Sequence, residues 1–362
     1  MRLPTLQLPV GPIWFGIRPL ALLVTLALGS AAGFAAQAAH LPLALLLGAL
    51  SVTALVALNG WRVLGQPVHL PGNLRSAFVP VIGVANGRAF TPDIAAQMPG
   101  WVPSLLALFL FLPLVHAIGF LIYRAGGLTK EAAFFGATPG GLIETVEMGR
   151  QAGADEALLT TLQFLRLIAT IVAVPLIFLA LTGLVVGSAA GAQLTGAGVA
   201  LSLRDIAVLA LAGALGYWAA AKLHFPAAPM TGPVLLSAMA HGLGLVEGVP
   251  PFWLIAATQI VLGCGLGARF VGADPVLLRR AAGLAVGNTL LALVIAAGFA
   301  LTLHALVGVP VTGVFLAFAP GGLAEMSLIA LSLQMSAIYV TAHHVVRIVL
   351  AVSLAKIGSR WI

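Results

Sequence analysis

Thr138-Pro139-Gly140-Gly141-Leu142-Ile143-Glu144 and, 181 residues further on, Ala319-Pro320-Gly321-Gly322-Leu323-Ala324-Glu325 are two copies of one element. Proline removes a backbone donor and paired glycines add conformational freedom, so a helix entering either copy breaks there. The chain then resumes as helix, with Glu144 or Glu325 in its first turn. At the same offset Thr160 falls on Thr341, Arg166 on Arg347 and Arg88 on Arg269. Gly83 and Gly87 fall on Gly263 and Gly267 with the spacing slipped by one. An order kept over roughly 100 residues predicts a duplicated chain.

The surroundings of both elements are apolar. Of 362 residues, 61% are hydrophobic and 7% charged, and the mean hydropathy is +1.11. A soluble domain carries about 25% charged residues, so most of this surface does not face water. Runs of roughly 18 to 20 apolar residues cross a bilayer, and Leu20–Ala39, Val102–Tyr123 and Ala281–Leu303 are clear cases. The 42 Gly and 22 Pro residues suit close-packed and broken membrane helices. Arg18, the apolar run after it and Ala36-Gln37-Ala38 imitate a secretory signal, but further spans follow directly, so the run is read as a retained first span.

The fold expected is an all-α polytopic membrane protein of two duplicated halves. Five spans per half are predicted, at 20–39, 41–58, 76–92, 101–123 and 157–182, then 205–221, 229–246, 252–268, 281–304 and 336–356. One broken or re-entrant Pro-Gly-Gly helix is added to each half. With the N-terminus inside, 13 of the 17 cations fall in cytoplasmic segments, Arg75 and Arg269 among them. If the Pro-Gly-Gly segments crossed fully, Arg269, Arg279 and Arg280 would move outside. An odd number of spans makes the halves inverted repeats, an arrangement recurrent in transporters. The organisation predicted is a cytoplasmic N-terminus at 1–19, a first repeat at 20–186, a linker at 187–203 and a second repeat at 204–362. The chain is expected in the cell inner membrane with both termini cytoplasmic.

The broken elements are where polar chemistry enters the bilayer. Half-helix N-termini suit anionic groups, and freed carbonyls suit Na⁺ or protons. Pro139, Gly140, Gly141, Pro320, Gly321 and Gly322 are therefore candidate substrate-binding residues; a packing kink is the alternative for either copy alone. Glu144 and Glu147 lie three apart and share a helix face, which makes them a candidate proton-binding pair. Glu325 is alone, because Leu328 matches Glu147. Glu147 has a second reading, at the membrane boundary beside Arg150.

Arg166 and Arg347 each sit in the helix after a break. Each either neutralises a nearby glutamate or holds a substrate carboxylate in its planar fork, and the two roles are compatible. His344 is a candidate for proton coupling, although its neighbour His343 must point elsewhere and a polar contact to another helix serves either one. The lone cysteine, Cys264, excludes a disulfide framework. The net charge of +7 comes without a basic stripe or interleaved aromatics, so nucleic acid is not an expected partner. No catalytic, metal or cofactor site is read from the sequence.

The run Ala319–Met326 and the later Thr341-Ala342-His343-His344-Val345-Val346-Arg347 resemble the AbrB-like membrane protein family, over roughly residues 20–358. Its members are often labelled ammonia monooxygenases or regulators. By relationship they look similar to cation–proton antiporter and anion transporter folds, with inverted repeats and broken crossing helices. The resemblance implies transport and carries no binding residues with it. The expected function is secondary transport of a small solute, leaning to an organic anion, coupled to H⁺ or Na⁺ by alternating access and not enzymatic. The rivals are a membrane-embedded regulator or partner-binding subunit and a membrane monooxygenase; dispersed histidines weigh against the last. Lipid surrounds the chain, and small-residue helices make a homodimer one candidate assembly.

Overall fold

The computed structural model describes residues 19–183, 185–186, 199–333 and 335–362. The predicted cytoplasmic N-terminus, apart from Pro19, and residues 187–198 of the predicted linker lie outside the described residues. The chain runs α1 (Pro19–Ala38), α2 (Ala44–Leu58), a short antiparallel hairpin of β1 (Arg62–Val63) and β2 (Gln66–Pro67), and α3 (Gly72–Gly87). It continues through α4 (Pro92–Gln97), α5 (Val102–Ala125), α6 (Lys130–Ala137), α7 (Leu142–Gln151) and α8 (Glu156–Thr182). Then follow α9 (Leu203–Lys222), α10 (Ala228–Gly242), α11 (Phe252–Gly267) and α12 (Pro275–Val307). The chain ends with α13 (Val311–Phe318), α14 (Leu323–Ser332) and α15 (Ala337–Gly358). It is an all-α multi-pass membrane protein.

Seven of these helices are long and apolar enough to cross a membrane: α1, α5, α8, α9, α11, α12 and α15, with short flanking turns on α5 and α11. The other three predicted spans are shorter than a full crossing, with 15 residues in α2, 16 in α3 and 15 in α10. They are also heavily enclosed by other helices. α2 and α10 pack between α1 and α11 and between α9 and α3 respectively, so protein rather than lipid surrounds much of their surface.

Those contacts follow a pattern. α2 leans on α11, and α10 leans on α3. A Cβ on Gly263 would press on the carbonyl of Leu46, and one on Gly83 would lie 2.8 Å from the carbonyl of Met230. Glycine at these two places lets backbones approach where any side chain would hold them apart. His40 and Leu43, ahead of α2, have φ of 53° and 46°; His224 and Ala227, ahead of α10, have 53° and 50°. Left-handed backbone is uncommon for such residues, yet it recurs at the same two places before α2 and before α10.

The two ends of the molecule can be told apart by contacts. At one end Gly126, just after α5, meets Leu284 near the start of α12, and Arg280 reaches the carbonyl of Gly127 at 3.4 Å. At the other end Trp101, preceding α5, packs edge-on against Tyr339 of α15 at 5.5 Å between ring centroids.

Candidate functional site

Each Pro-Gly-Gly element forms the tip of a hairpin. Thr129 caps α6, its hydroxyl accepting from the Ala132 amide at 3.2 Å. The helix stops at Ala137 because Thr138 turns extended and Pro139 cannot donate. Gly141 then takes φ 62° and ψ 55° and starts α7. α7 folds back along α6: a Cβ on Gly149 would lie 3.1 Å from that of Phe135. Ala154 and Leu159, beyond α7, share a buried cluster with Leu128, Ala281 and Ala285. The segment thus enters and leaves at the α5–α12 end.

The second hairpin mirrors the first. α13 stops at Phe318, Ala319 turns extended, and α14 begins after Gly322. Met335, beyond α14, comes back to about 4.0 Å from where a Cβ on Gly313 would stand, beside the Tyr339 ring. This hairpin enters and leaves at the Trp101–Tyr339 end.

A broken helix leaves carbonyls without amide partners, and in an apolar interior these must be satisfied. In the first hairpin Gln163 Nε2 donates to the carbonyls of Phe135 at 2.8 Å and of Gly136 and Thr138 at 3.3 Å, and Arg166 donates to Thr138. In the second, Arg347 donates to the carbonyls of Ala319 and, at 2.7 Å, Gly321. The arginines therefore sit on the negative ends of α6 and α13. Among the described residues, neither forms an ion pair with Glu144 or Glu325, so the glutamate-neutralising reading of Arg166 and Arg347 gives way to a carbonyl-binding one.

The tips meet at one cavity of about 430 Å³. Gly140, Gly141 and Glu144 line it from the first hairpin, and Gly321, Gly322 and Glu325 from the second. Arg166 and Arg347 line it as well. Both glutamates lie in the first turn of their half-helices and fold back over the preceding glycine. A Cβ on Gly141 would stand 3.3 Å from a Glu144 oxygen, and one on Gly322 would overlap the Glu325 carboxylate. Glu325 is buried, whereas Glu144 is exposed.

Two further residues of this cavity lie, by sequence position alone, in cytoplasmic loops. Arg75 of α3 and Arg269, just after α11, also line it. Arg75 pairs with Glu325 at 3.7 Å, and Arg269 lies over the ring of Phe164 at 6.0 Å. Both count as cytoplasmic cations by position, and a span-by-span reading gives them no further role.

Other candidates stand apart. Pro139 and Pro320 shape the breaks without lining the cavity. Glu147 is exposed and joins Arg150 at 2.6 Å and Gln151 at 2.7 Å, not Glu144. The Arg150 hydrogen bonds hold its carboxyl below the ordinary glutamate range, with Gln151 adding to the effect. Its hydrogen bonds go to Arg150 and Gln151 rather than to Glu144, unlike the proton-binding pair expected from the three-residue spacing. His344 is buried outside the cavity lining, its Nδ1 on the Val340 carbonyl at 2.9 Å and its Nε2 without a partner. His343 contacts the neighbouring helix, with Nε2 2.8 Å from Ser104 Oγ and its ring 4.0 Å from that of Tyr339.

A second cavity, of about 710 Å³, lies at the opposite end between Gln97, Trp101, Pro310, Gly313, Ser336 and Tyr339. Tyr339 and Arg347 are eight residues apart on α15, about 12 Å along the axis. His343 and His344 occupy the buried stretch between them.

A family model described as transition state regulatory protein AbrB matches residues 61–362, which takes in both hairpins and every residue of the central cavity. The chain belongs to the AbrB family. A Bacillus subtilis (strain 168) protein, YhjN, whose name marks it as uncharacterized, is 27% identical over 293 residues, covering 76% of this chain and 74% of its own. An Escherichia coli (strain K12) protein provisionally named as the regulator AbrB is 29% identical over 303 residues, covering 81% and 82%. The AbrB family match begins after α2, so α1 and α2 stand before it.

Proposed function

We propose that this AbrB-family protein is a secondary transporter of a small anionic solute, working by alternating access between two inverted repeats. One observation carries the reading: the tips of two broken helices, entering from opposite ends, meet at one cavity lined by four arginines and two glutamates in an otherwise apolar protein. Charge in such a place is costly and is a mark of function. Two half-helix N-termini open onto the same cavity, and their partial positive charge favours an anion. A volume of about 430 Å³ is within the range of small-molecule sites.

The recurrence of left-handed backbone before α2 and α10 supports the duplication, and the opposite entry of the hairpins supports its inversion. The separate cavity beyond Tyr339 supports a second access route, closed in this state by the packed stretch of α15. Glu144 and Glu325 are the proposed H⁺ or Na⁺ coupling groups, and the chemistry is binding and translocation rather than covalent catalysis. The proposed setting is the inner membrane with cytoplasmic termini, and a homodimer is the proposed assembly.

The test is uptake and charge movement in proteoliposomes, with wild type beside the Glu144→Gln, Glu325→Gln double variant. Anion-dependent uptake in wild type that is lost in the folded variant is the expected result. Failure of folded wild type to move any anion in a broad panel would sink the proposal. The family description and the E. coli relative's name favour a second reading, a membrane-embedded regulator. A stoichiometric protein partner, together with silence in every uptake assay, would select it.

A further inference from the structure

The charges that meet in the central cavity do not cancel. Arg75, Arg166, Arg269 and Arg347 face only Glu144 and Glu325, an excess of two cations. The four also divide by depth. Arg166 and Arg347 are buried, with 7% and 2% of their surface exposed, and each is anchored on hairpin carbonyls with its Nε left unpartnered. Arg269 is exposed and Arg75 is 37% exposed. Arg75 is held by Glu325 only at 3.7 Å, a looser distance than a direct hydrogen bond, and its own Nε has no partner.

A monoanion balances one of the two excess cations and leaves the second without a counter-charge. A compact dianion such as phosphate satisfies one depth only. Resting on the transport reading of this same site, we propose that the cavity takes a small dicarboxylate. One carboxylate sits against Arg166, Arg347 and the half-helix N-termini at the floor; the other sits against Arg75 and Arg269 at the mouth. Arg75 is the residue that selects for the second carboxylate, and Glu325 competes with the substrate for it.

Succinate, butyrate and inorganic phosphate serve as probes, with binding measured by calorimetry in detergent and uptake by tracer in proteoliposomes. Wild type is expected to prefer succinate over butyrate, of the same carbon count, by about tenfold or more, the equivalent of one lost charge-assisted contact. Arg75→Gln should bring the two within about twofold by removing that contact. Arg269→Gln gives an independent version of the same test should Arg75→Gln misfold. Glu325→Gln should tighten succinate binding in detergent, whatever it does to uptake. Equal handling of succinate and butyrate by wild type, a preference unchanged in both arginine variants, or phosphate binding tighter than succinate would each overturn the dicarboxylate proposal while anion transport stood. Weaker succinate binding in Glu325→Gln would remove the competition. No binding and no uptake of any of the three by folded protein would overturn this proposal, and a broad anion panel with the same result would take the transport reading with it.

Discussion

Arg166 and Arg347 make the same bond at the same separation: each donates from Nη1 to the carbonyl 28 residues before it, on Thr138 and on Ala319. The long helix after each hairpin is thereby tied to the break at the tip. A guanidinium suits this place because it presents several donors in a fixed plane and stays charged. Arg347 uses two of them, on Ala319 and Gly321.

An ammonium on a flexible stem cannot reproduce that fork. Arg347→Lys should leave a buried carbonyl unpaired and destabilise the protein by about 1–3 kcal/mol. Arg62→Gln, at an exposed position away from the cavity, should change stability by no more than about 0.5 kcal/mol. Thermal unfolding of both variants in detergent measures the contrast. Equal stability of wild type and Arg347→Lys would show that the carbonyl contacts do not hold the hairpin.

The tip glycines separate strain from function. Gly141 has φ 62°, where a side chain costs about 1–2 kcal/mol, and a Cβ there also overlaps Val352. Gly141→Ala should lower the melting temperature. Gly322 has ordinary extended backbone, but a Cβ displaces the Glu325 carboxylate. Gly322→Ala should therefore impair uptake more than it impairs stability. If both variants lose stability and uptake in the same proportion, the glycines serve the break alone.

His344 stands 181 positions after Gln163, whose amide satisfies three carbonyls of the first hairpin. The His344 Nε2 satisfies none. His344→Gln supplies an amide that can donate to the second hairpin, so the variant should be at least as stable as wild type, by up to about 1 kcal/mol. A marked loss of stability would show that the imidazole is required as it stands.

Glu147 gives a pH signature. Its carboxyl is held below the usual 4.5 by Arg150, so its folded value is depressed. The pair's contribution is present above the unfolded value and disappears as pH falls through the folded one. Glu147→Gln should thus differ slightly from wild type in stability at neutral pH and match it in acid below the carboxylate range. Uptake should be unaffected at neutral pH, whereas Glu144→Gln should lose it. A Glu147→Gln variant without uptake would restore Glu147 to the coupling machinery.

Orientation is open to chemical labelling, because the native Cys264 is fully buried. Ala125→Cys and Asp274→Cys mark the α5–α12 end, and Ala305→Cys marks the other. An impermeant thiol reagent should reach the first two only from the cytoplasmic side and Ala305→Cys only from outside. Labelling of Ala125→Cys and Ala305→Cys from one side would dismiss the arrangement.

The amino-acid sequence by itself determined the class of this protein and the places where its helices break. Apolar runs must be hidden from water whatever the topology, and Pro-Gly-Gly interrupts a helix through its own covalent geometry. The spacing between each break and its arginine was equally legible, because it repeats along the chain. Tertiary structure decided which charges share a cavity. Arg75 and Arg269 are far apart in sequence, and only the packing of α3, α11 and the second hairpin makes them neighbours of Glu325. It also placed Glu144: the Glu147–Arg150 pair is a local contact three residues apart and legible in the sequence, but only the docking of α7 brings Glu144 to the cavity. The left-handed backbone at His40, Leu43, His224 and Ala227 has no local signal either. These residues disfavour it intrinsically, so the packing of α2 and α10 against their neighbours has to impose it.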